Sequence, residues 1–229
     1  MRNFYSFVYV LLFVSLVFFT TPVKSQTLLE QNRDHVVLKW APLSLFEYYN
    51  TFLLGVEIPF RNPRFTFQQE LGYGHASMSI WFTEDEARPN RHVVRSNSQF
   101  RFYIKEWKSF RLFTAAEYFL RRSRTYAIEF DPHDCEGGCA DYSGAPYETE
   151  RIVNALHLKF GFQAWLSRRI SLEVYTGYGY RTIKSQSLTP GVSPLWRNKE
   201  RWWDIPQASL REPLPSFAPG FQIGLLLGK

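Results

Sequence analysis

Eight stretches of this chain alternate apolar and polar residues, and the clearest runs from Leu156 to Phe162. Leu156, Leu158, Phe160 and Phe162 fall on one side, and His157, Lys159 and Gly161 on the other. A strand sends successive side chains to opposite faces, so this period of two predicts a strand with one apolar face and one polar face. The same pattern predicts strands over residues 35–43, 51–58, 64–82, 92–107, 111–129, 151–165, 170–184 and 218–227. The apolar stripes include Val36, Leu38 and Trp40, then Phe52, Leu54, Val56 and Ile58, and later Phe221, Ile223, Leu225 and Leu227. Gln69 interrupts the stripe of the third strand. After Gly74 the apolar parity moves to Met78, Ile80 and Phe82. One extra residue flips the faces of a strand, so a bulge near Gly72 or Gly74 is expected, unless the strand has already left the bilayer.

The connections add a second pattern. Those after strands two, four and six are short, at Arg61-Asn62-Pro63, Lys108-Ser109 and Ser167-Arg168-Arg169. Those after strands three, five and seven are long, over 83–90, 131–148 and 185–216; the first connection, 47–50, is a short exception. An even strand count, apolar stripes and alternating short and long connections predict an all-β fold. The expectation is an eight-stranded antiparallel up-and-down transmembrane β-barrel, apolar outside and polar inside. Large loops would then face outward and both chain ends would lie in the periplasm. A secreted soluble barrel or sandwich shares the alternation, but not the loop asymmetry.

The chain start agrees with this placement. Arg2 precedes an apolar run from Phe4 to Phe19, followed by Thr20-Thr21-Pro22 and Val23-Lys24-Ser25. This describes a secretory signal peptide over 1–25, with the barrel domain over 26–229. An uncleaved anchor is the alternative; the run is somewhat short for a helical span of about 20 residues. Beyond it no long apolar run occurs, and an unpaired strand edge is not tolerated in lipid, which leaves a closed barrel. The formal charge of +6 includes Arg2 and Lys24, so the remainder is mildly basic. That fits an anionic membrane surface better than nucleic acid. Abundant Phe, Tyr and Trp suit aromatic girdles at the two interfaces.

Several stretches resemble small outer-membrane barrels of the OmpA/OmpX type from Gram-negative bacteria. Lys39-Trp40-Ala41-Pro42-Leu43-Ser44-Leu45, Leu54-Gly55-Val56-Glu57 and Glu70-Leu71-Gly72-Tyr73-Gly74 are similar to how such barrels open. Pro219-Gly220-Phe221-Gln222-Ile223-Gly224 is similar to how they close. The resemblance implies the fold and an outer-membrane location, and it implies no activity. The chain departs from the pattern by ending Leu227-Gly228-Lys229 rather than on an aromatic residue.

Candidate chemistry falls into four places. Facing inward are Lys39, Arg101, Lys105, Lys159 and Arg181 with Glu57, Glu70, Glu117 and Glu173. A lumen just wide enough for its own side chains must pair such charges, so a salt-bridge plug is expected, with an ion path as the alternative. In the loop Asp131–Asp141, Cys135 and Cys139 suggest a local disulfide, since thiols oxidise outside the cytoplasm. The alternative there is a zinc site with His133 and an acid. In the last large loop, Trp196, Arg197, Lys199, Arg201, Trp202 and Trp203 suit contact with lipid headgroups, lipopolysaccharide or a surface protein, or a plain aromatic girdle. Finally, His75 and Ser77 lie two apart, the spacing of a base beside a nucleophile, and are similar to the His-x-Ser pattern of lipid A deacylases. The sequence offers no acid to orient His75. The expected function is therefore a structural or surface-interaction barrel that needs no cofactor, with a lipid-modifying hydrolase at His75 and Ser77, or a narrow channel, as alternatives.

Overall fold

The computed structural model describes residues 35–47, 49–78, 90–107, 109–129, 145–189 and 210–227. The segment expected to be a signal peptide, the residues His133, Cys135 and Cys139, and those from Trp196 to Trp203 lie outside the described residues.

The alternating segments form nine antiparallel strand pieces. These are β1 (Val36–Trp40), β2 (Phe52–Pro59), β3 (Phe65–His75), β4 (Asn90–Glu106), β5 (Phe110–Glu129), β6 (Ala145–Trp165), β7 (Ile170–Ser187), β8 (Leu210–Phe217) and β9 (Gly220–Leu227). Each of β1 to β7 pairs with the next. Both β8 and β9 pair with β7, end to end, and β9 returns to β1. β8 and β9 are thus two pieces of one stave, and eight staves close an up-and-down barrel. The short turns after β2, β4 and β6 mark the end called lower here, and the long connections mark the upper end.

The period of two holds around the wall. On β6, Leu156 and Leu158 are 66% and 69% exposed, whereas Val153, Ala155, His157 and Lys159 are buried. The outward row continues through Phe67, Phe100, Tyr118, Phe160, Val174, Tyr178 and Phe217. On β5 this outward band runs from Phe110 to Leu120 and then gives way to Arg122 and Arg124. A transmembrane β-strand needs only about 9–11 residues. With 20 residues in β5, 21 in β6 and 18 in β7, these strands extend well past the band.

Five expectations are corrected by the coordinates. The first strand stops at Trp40, where Pro42 opens a 3-10 turn, Pro42–Leu45; proline suits a first helical turn and not a ladder. The third strand shows no bulge at Gly72 or Gly74. It keeps register with β4 to His75 and then enters a second 3-10 turn, Ala76–Met78. The register shift falls instead on β4, between Tyr103 and Lys105. Two β4 residues there oppose one on β5, so Lys105 leaves the inward face, is exposed, and lies over the Trp107 ring at 5.2 Å. The connection expected over 185–216 contains β8, and β6 begins at Ala145 rather than Arg151.

The prolines had hidden β8. The Ala218 N–H donates to the Gly177 carbonyl at 2.9 Å. In an antiparallel pair the hydrogen-bonded positions alternate, so the main chain of Pro215, Phe217 and Pro219 points away from β7. Among the described residues β8 has no second strand neighbour. Pro215 therefore removes a donor only from an edge, where a strand tolerates it.

Gln69 is also accounted for. Its side chain faces outward on β3 and meets two serines of β4: Ser98 Oγ donates to Oε1 at 2.6 Å, and Nε2 donates to Ser96 Oγ at 3.0 Å. Three polar groups on the outward face of the wall satisfy one another.

Candidate functional site

The lumen holds three layers of polar side chains. The lowest is a balanced cluster. Lys39 Nζ lies 2.5 Å from both Glu57 Oε2 and Glu173 Oε2. Arg101 pairs with Glu173 through two nitrogens, each at 2.8 Å, and its guanidinium stands 3.7 Å from Glu57. Two neutral donors complete Glu57: Tyr103 OH at 2.6 Å and Thr66 Oγ1 at 2.7 Å. Below them Arg111 Nε donates to Gln163 at 3.0 Å and stacks on the Tyr103 ring at 4.2 Å. Lys39, Arg101, Glu57 and Glu173 are at most 2% exposed. Register brings these residues together: Glu57 opposes Gln68 on β3 and Val37 on β1, and Lys39 opposes Gly55 and Gly224. The two glycines leave room for the lysine to cross the lumen.

The middle layer is built on amides. Glu70 accepts hydrogen bonds from Asn97 (2.5 Å), Gln99 (3.1 Å), Gln222 and Gln68. Gln99 also donates to Glu117 at 2.8 Å, which joins the layers. Glu117 meets Lys159 Nζ at 2.5 Å and His157 Nδ1 at 3.1 Å, and His157 Nε2 lies 2.9 Å from Ser216 Oγ on β8.

The upper layer is different. A cavity of about 380 Å³ is lined by Glu47, Arg95, Glu117, Arg121, His157, Lys159, Arg181 and Ser216, with Leu43, Phe217, Ala218 and Pro219 among its apolar walls. Glu47 holds Arg95 at 2.9 Å. Arg121 lies over the Tyr49 ring at 4.0 Å, which Arg91 and Arg151 also approach, at 5.0 and 6.0 Å. Arg151 donates to the Tyr49 hydroxyl at 3.0 Å and Arg91 to Asn50 at 3.3 Å. Arg121 and Arg181 have no acid within ion-pair distance among the described residues.

On the outer wall, above the apolar band, Glu150 accepts from Arg122 at 2.6 Å, Arg124 at 3.2 Å and Gln186 at 2.8 Å. Burial by itself would raise the Glu150 carboxyl. The hydrogen bonds and charges of the two arginines outweigh it and hold the group below the ordinary carboxylate range.

The remaining sequence candidates fare as follows. The His75 ring is on the outer side of the wall, not turned inward as a bulge would require. Its Nδ1 receives the Ser77 backbone N–H at 3.2 Å and lies 2.8 Å from Ser77 Oγ. An unprotonated Nδ1 that accepts both closes the 3-10 turn. The ring packs edge-on against His92 at 4.8 Å, and no acid orients it among the described residues. No group of three metal-ligating side chains occurs among the described residues. Sequence reasoning named neither Ser216 nor the cations Arg91, Arg95, Arg111 and Arg151 as site residues. His157 was visible as an inward residue in the clearest strand, but its partners lie 40 and 59 positions away and depend on register.

Neither a comparison with protein families nor one with curated proteins returns a match. The fold and the luminal chemistry therefore carry the functional reading alone.

Proposed function

We propose that this protein is an integral outer-membrane β-barrel of the OmpA/OmpX size class, structural or surface-interacting in role, with its upper loops as the binding elements. The observation that carries the reading is the continuous outward belt of large apolar side chains around a buried ionic lumen. A soluble monomer rarely exposes an apolar surface much beyond a few hundred Å², and water would be a poor solvent for this belt. The mildly basic chain and the aromatic residues of the belt suit outer-membrane lipid and lipopolysaccharide as neighbours. The lower charge cluster fills the lumen, so the proposed role is not conduction; planar-bilayer recordings are expected to give no steady ion current.

The deciding experiment is membrane fractionation followed by unheated and heated gel migration. The protein is expected in the outer-membrane fraction, resistant to a carbonate wash, with a faster unheated band. Release into the wash with one unchanged band would overturn the reading. A lipid hydrolase at His75 and Ser77 has one supporting contact, the 2.8 Å approach of the two side chains. It requires Ser77→Ala to abolish acyl release from lipid A.

A further inference from the structure

The row that crosses β5, β6, β7 and β8 pairs Glu117 with His157, His157 with Gly179, and Gly179 with Ser216. Gly179 is the reason the row connects. It has no side chain, so the His157 ring crosses β7 and reaches the stave beyond it. A Cβ at this position would stand 1.8 Å from the Leu156 carbonyl oxygen and 2.8 Å from His157 Cα. The proton positions follow from the donor inventory. Glu117 also receives Lys159 and Gln99, which keeps it an acceptor. An ionised carboxylate cannot donate, so His157 Nδ1 carries the hydrogen that points at Glu117. In the neutral ring Nε2 is then a bare acceptor, 2.9 Å from the Ser216 hydroxyl. This is a nucleophile, a base and an orienter in hydrogen-bond sequence.

The set opens onto space and onto charge. His157 and Ser216 both line the upper cavity. The inward positions around them are small: Ala155, Gly177, Gly179 and Ala218. Two residues above Gly179 on the same face stands Arg181, and two below His157 stands Lys159. Arg121 and Arg181 bring to the same cavity two cations that have no acid within ion-pair distance among the described residues. Phe217, Ala218 and Pro219 place the cavity wall at the break between β8 and β9, beside the unpaired edge of β8.

We propose that Ser216, His157 and Glu117 hydrolyse an anionic acyl ester held in this cavity. The Ser216 oxygen attacks the ester carbonyl carbon while its proton passes to His157 Nε2. The tetrahedral intermediate collapses, the carbon–oxygen bond to the alcohol breaks, and the alcohol takes the proton from His157. Water then attacks the acyl–serine ester with His157 again as base, which releases the carboxylate and restores the hydroxyl. Glu117 stabilises the imidazolium, and Lys159 holds Glu117 in place. Preorganised cations stabilise the oxyanion that develops at the carbonyl, a role open to Lys159 and Arg181 here. Arg121 and Arg181, which line the cavity, select an ester that carries a negative charge. The chemistry depends on the barrel geometry alone; membrane residence decides only whether the ester is a lipid.

The test uses the full-length barrel, with unheated gel migration read in parallel to establish folding. A fluorophosphonate probe is expected to add one phosphonyl group, located on Ser216 by peptide mass spectrometry and absent in Ser216→Ala. His157→Gln is expected to slow labelling by about 10²–10⁴-fold, the usual contribution of a positioned base. Hydrolysis of p-nitrophenyl hemisuccinate is expected to exceed that of p-nitrophenyl butyrate, and Arg181→Ala to erase that preference. Phosphatidylglycerol in mixed micelles, run beside the soluble hemisuccinate, identifies a lipid or a soluble source. Folded wild-type barrel without label on Ser216 would overturn the proposal, whether or not His157→Gln folds. Equal labelling rates in folded wild type and folded His157→Gln would overturn it too.

Discussion

The lower and upper halves of the lumen use the same residue types and reach opposite solutions. In the lower half each carboxylate meets two cations: Lys39 and Arg101 stand against both Glu57 and Glu173. In the upper half Glu47 pairs with Arg95, while Arg121 and Arg181 face the cavity with no acid in ion-pair distance among the described residues. A buried ion is tolerated when its partners and hydrogen bonds replace water. The lower cluster meets that condition through four ion-pair contacts among Lys39, Arg101, Glu57 and Glu173. The upper arginines meet it in part, through the Tyr49 ring and through space that admits solvent or an anion. Charge balance, rather than charge content, distinguishes the two halves of this lumen.

The largest effect is expected from Glu173→Ala, which leaves Lys39 and Arg101 to share the single carboxylate of Glu57. Breaking a buried pair from one side costs about 3–5 kcal/mol, to be read as a lower urea midpoint of the heat-modifiable band. An unchanged midpoint would mean that the lower half is no more interlocked than the upper. Gly179→Ala comes next. Overpacking costs about 1–3 kcal/mol, and the backbone contact leaves little slack for the added methyl. Labelling of Ser216 is expected to fall with it, because the gap that His157 crosses is filled. Arg181→Ala is expected to change the unfolding free energy by no more than about 0.5 kcal/mol, as for a residue outside any interlocked feature. A loss like that of Glu173→Ala would erase the contrast between the halves.

The smallest effect belongs to the outer wall, which serves as a reference outside the lumen. The Glu150 carboxyl is depressed in the folded chain, so its contribution is present above the unfolded value, about 4.3. It fades as pH falls through the lower folded value. Amide exchange at Ile152 and Lys184, which oppose each other one rung below, is expected to quicken on acidification in that window. Glu150→Gln is expected to remove the dependence.

The faces of the strands were readable because alternation is a local property. Leu156 to Phe162, Phe52 to Ile58 and Phe221 to Leu227 follow their stripes in the structure. What escaped depends on neighbours distant in sequence. Gln69 looked like a flaw until register placed it between Ser96 and Ser98. The third strand ends at His75 in a 3-10 turn instead of running on to Phe82, and the bulge that did form removed Lys105 from the lumen. Pro215 read as a loop residue, because a sequence does not reveal which side of a strand lacks a partner. The Glu117–His157–Ser216 row was invisible for the same reason, since three strand registers and one glycine gap create it together.

β1 deserves a mechanical reading. Its 5 residues, Val36–Trp40, hold β2 on one side and β9 on the other and so complete the circle. β5, with 20 residues, is laddered along its length to β6. Under tension applied at the amino end, as with an atomic-force tip, the ring gives way at this thin stave. The tall β5–β6 hairpin is then the last piece to be drawn out.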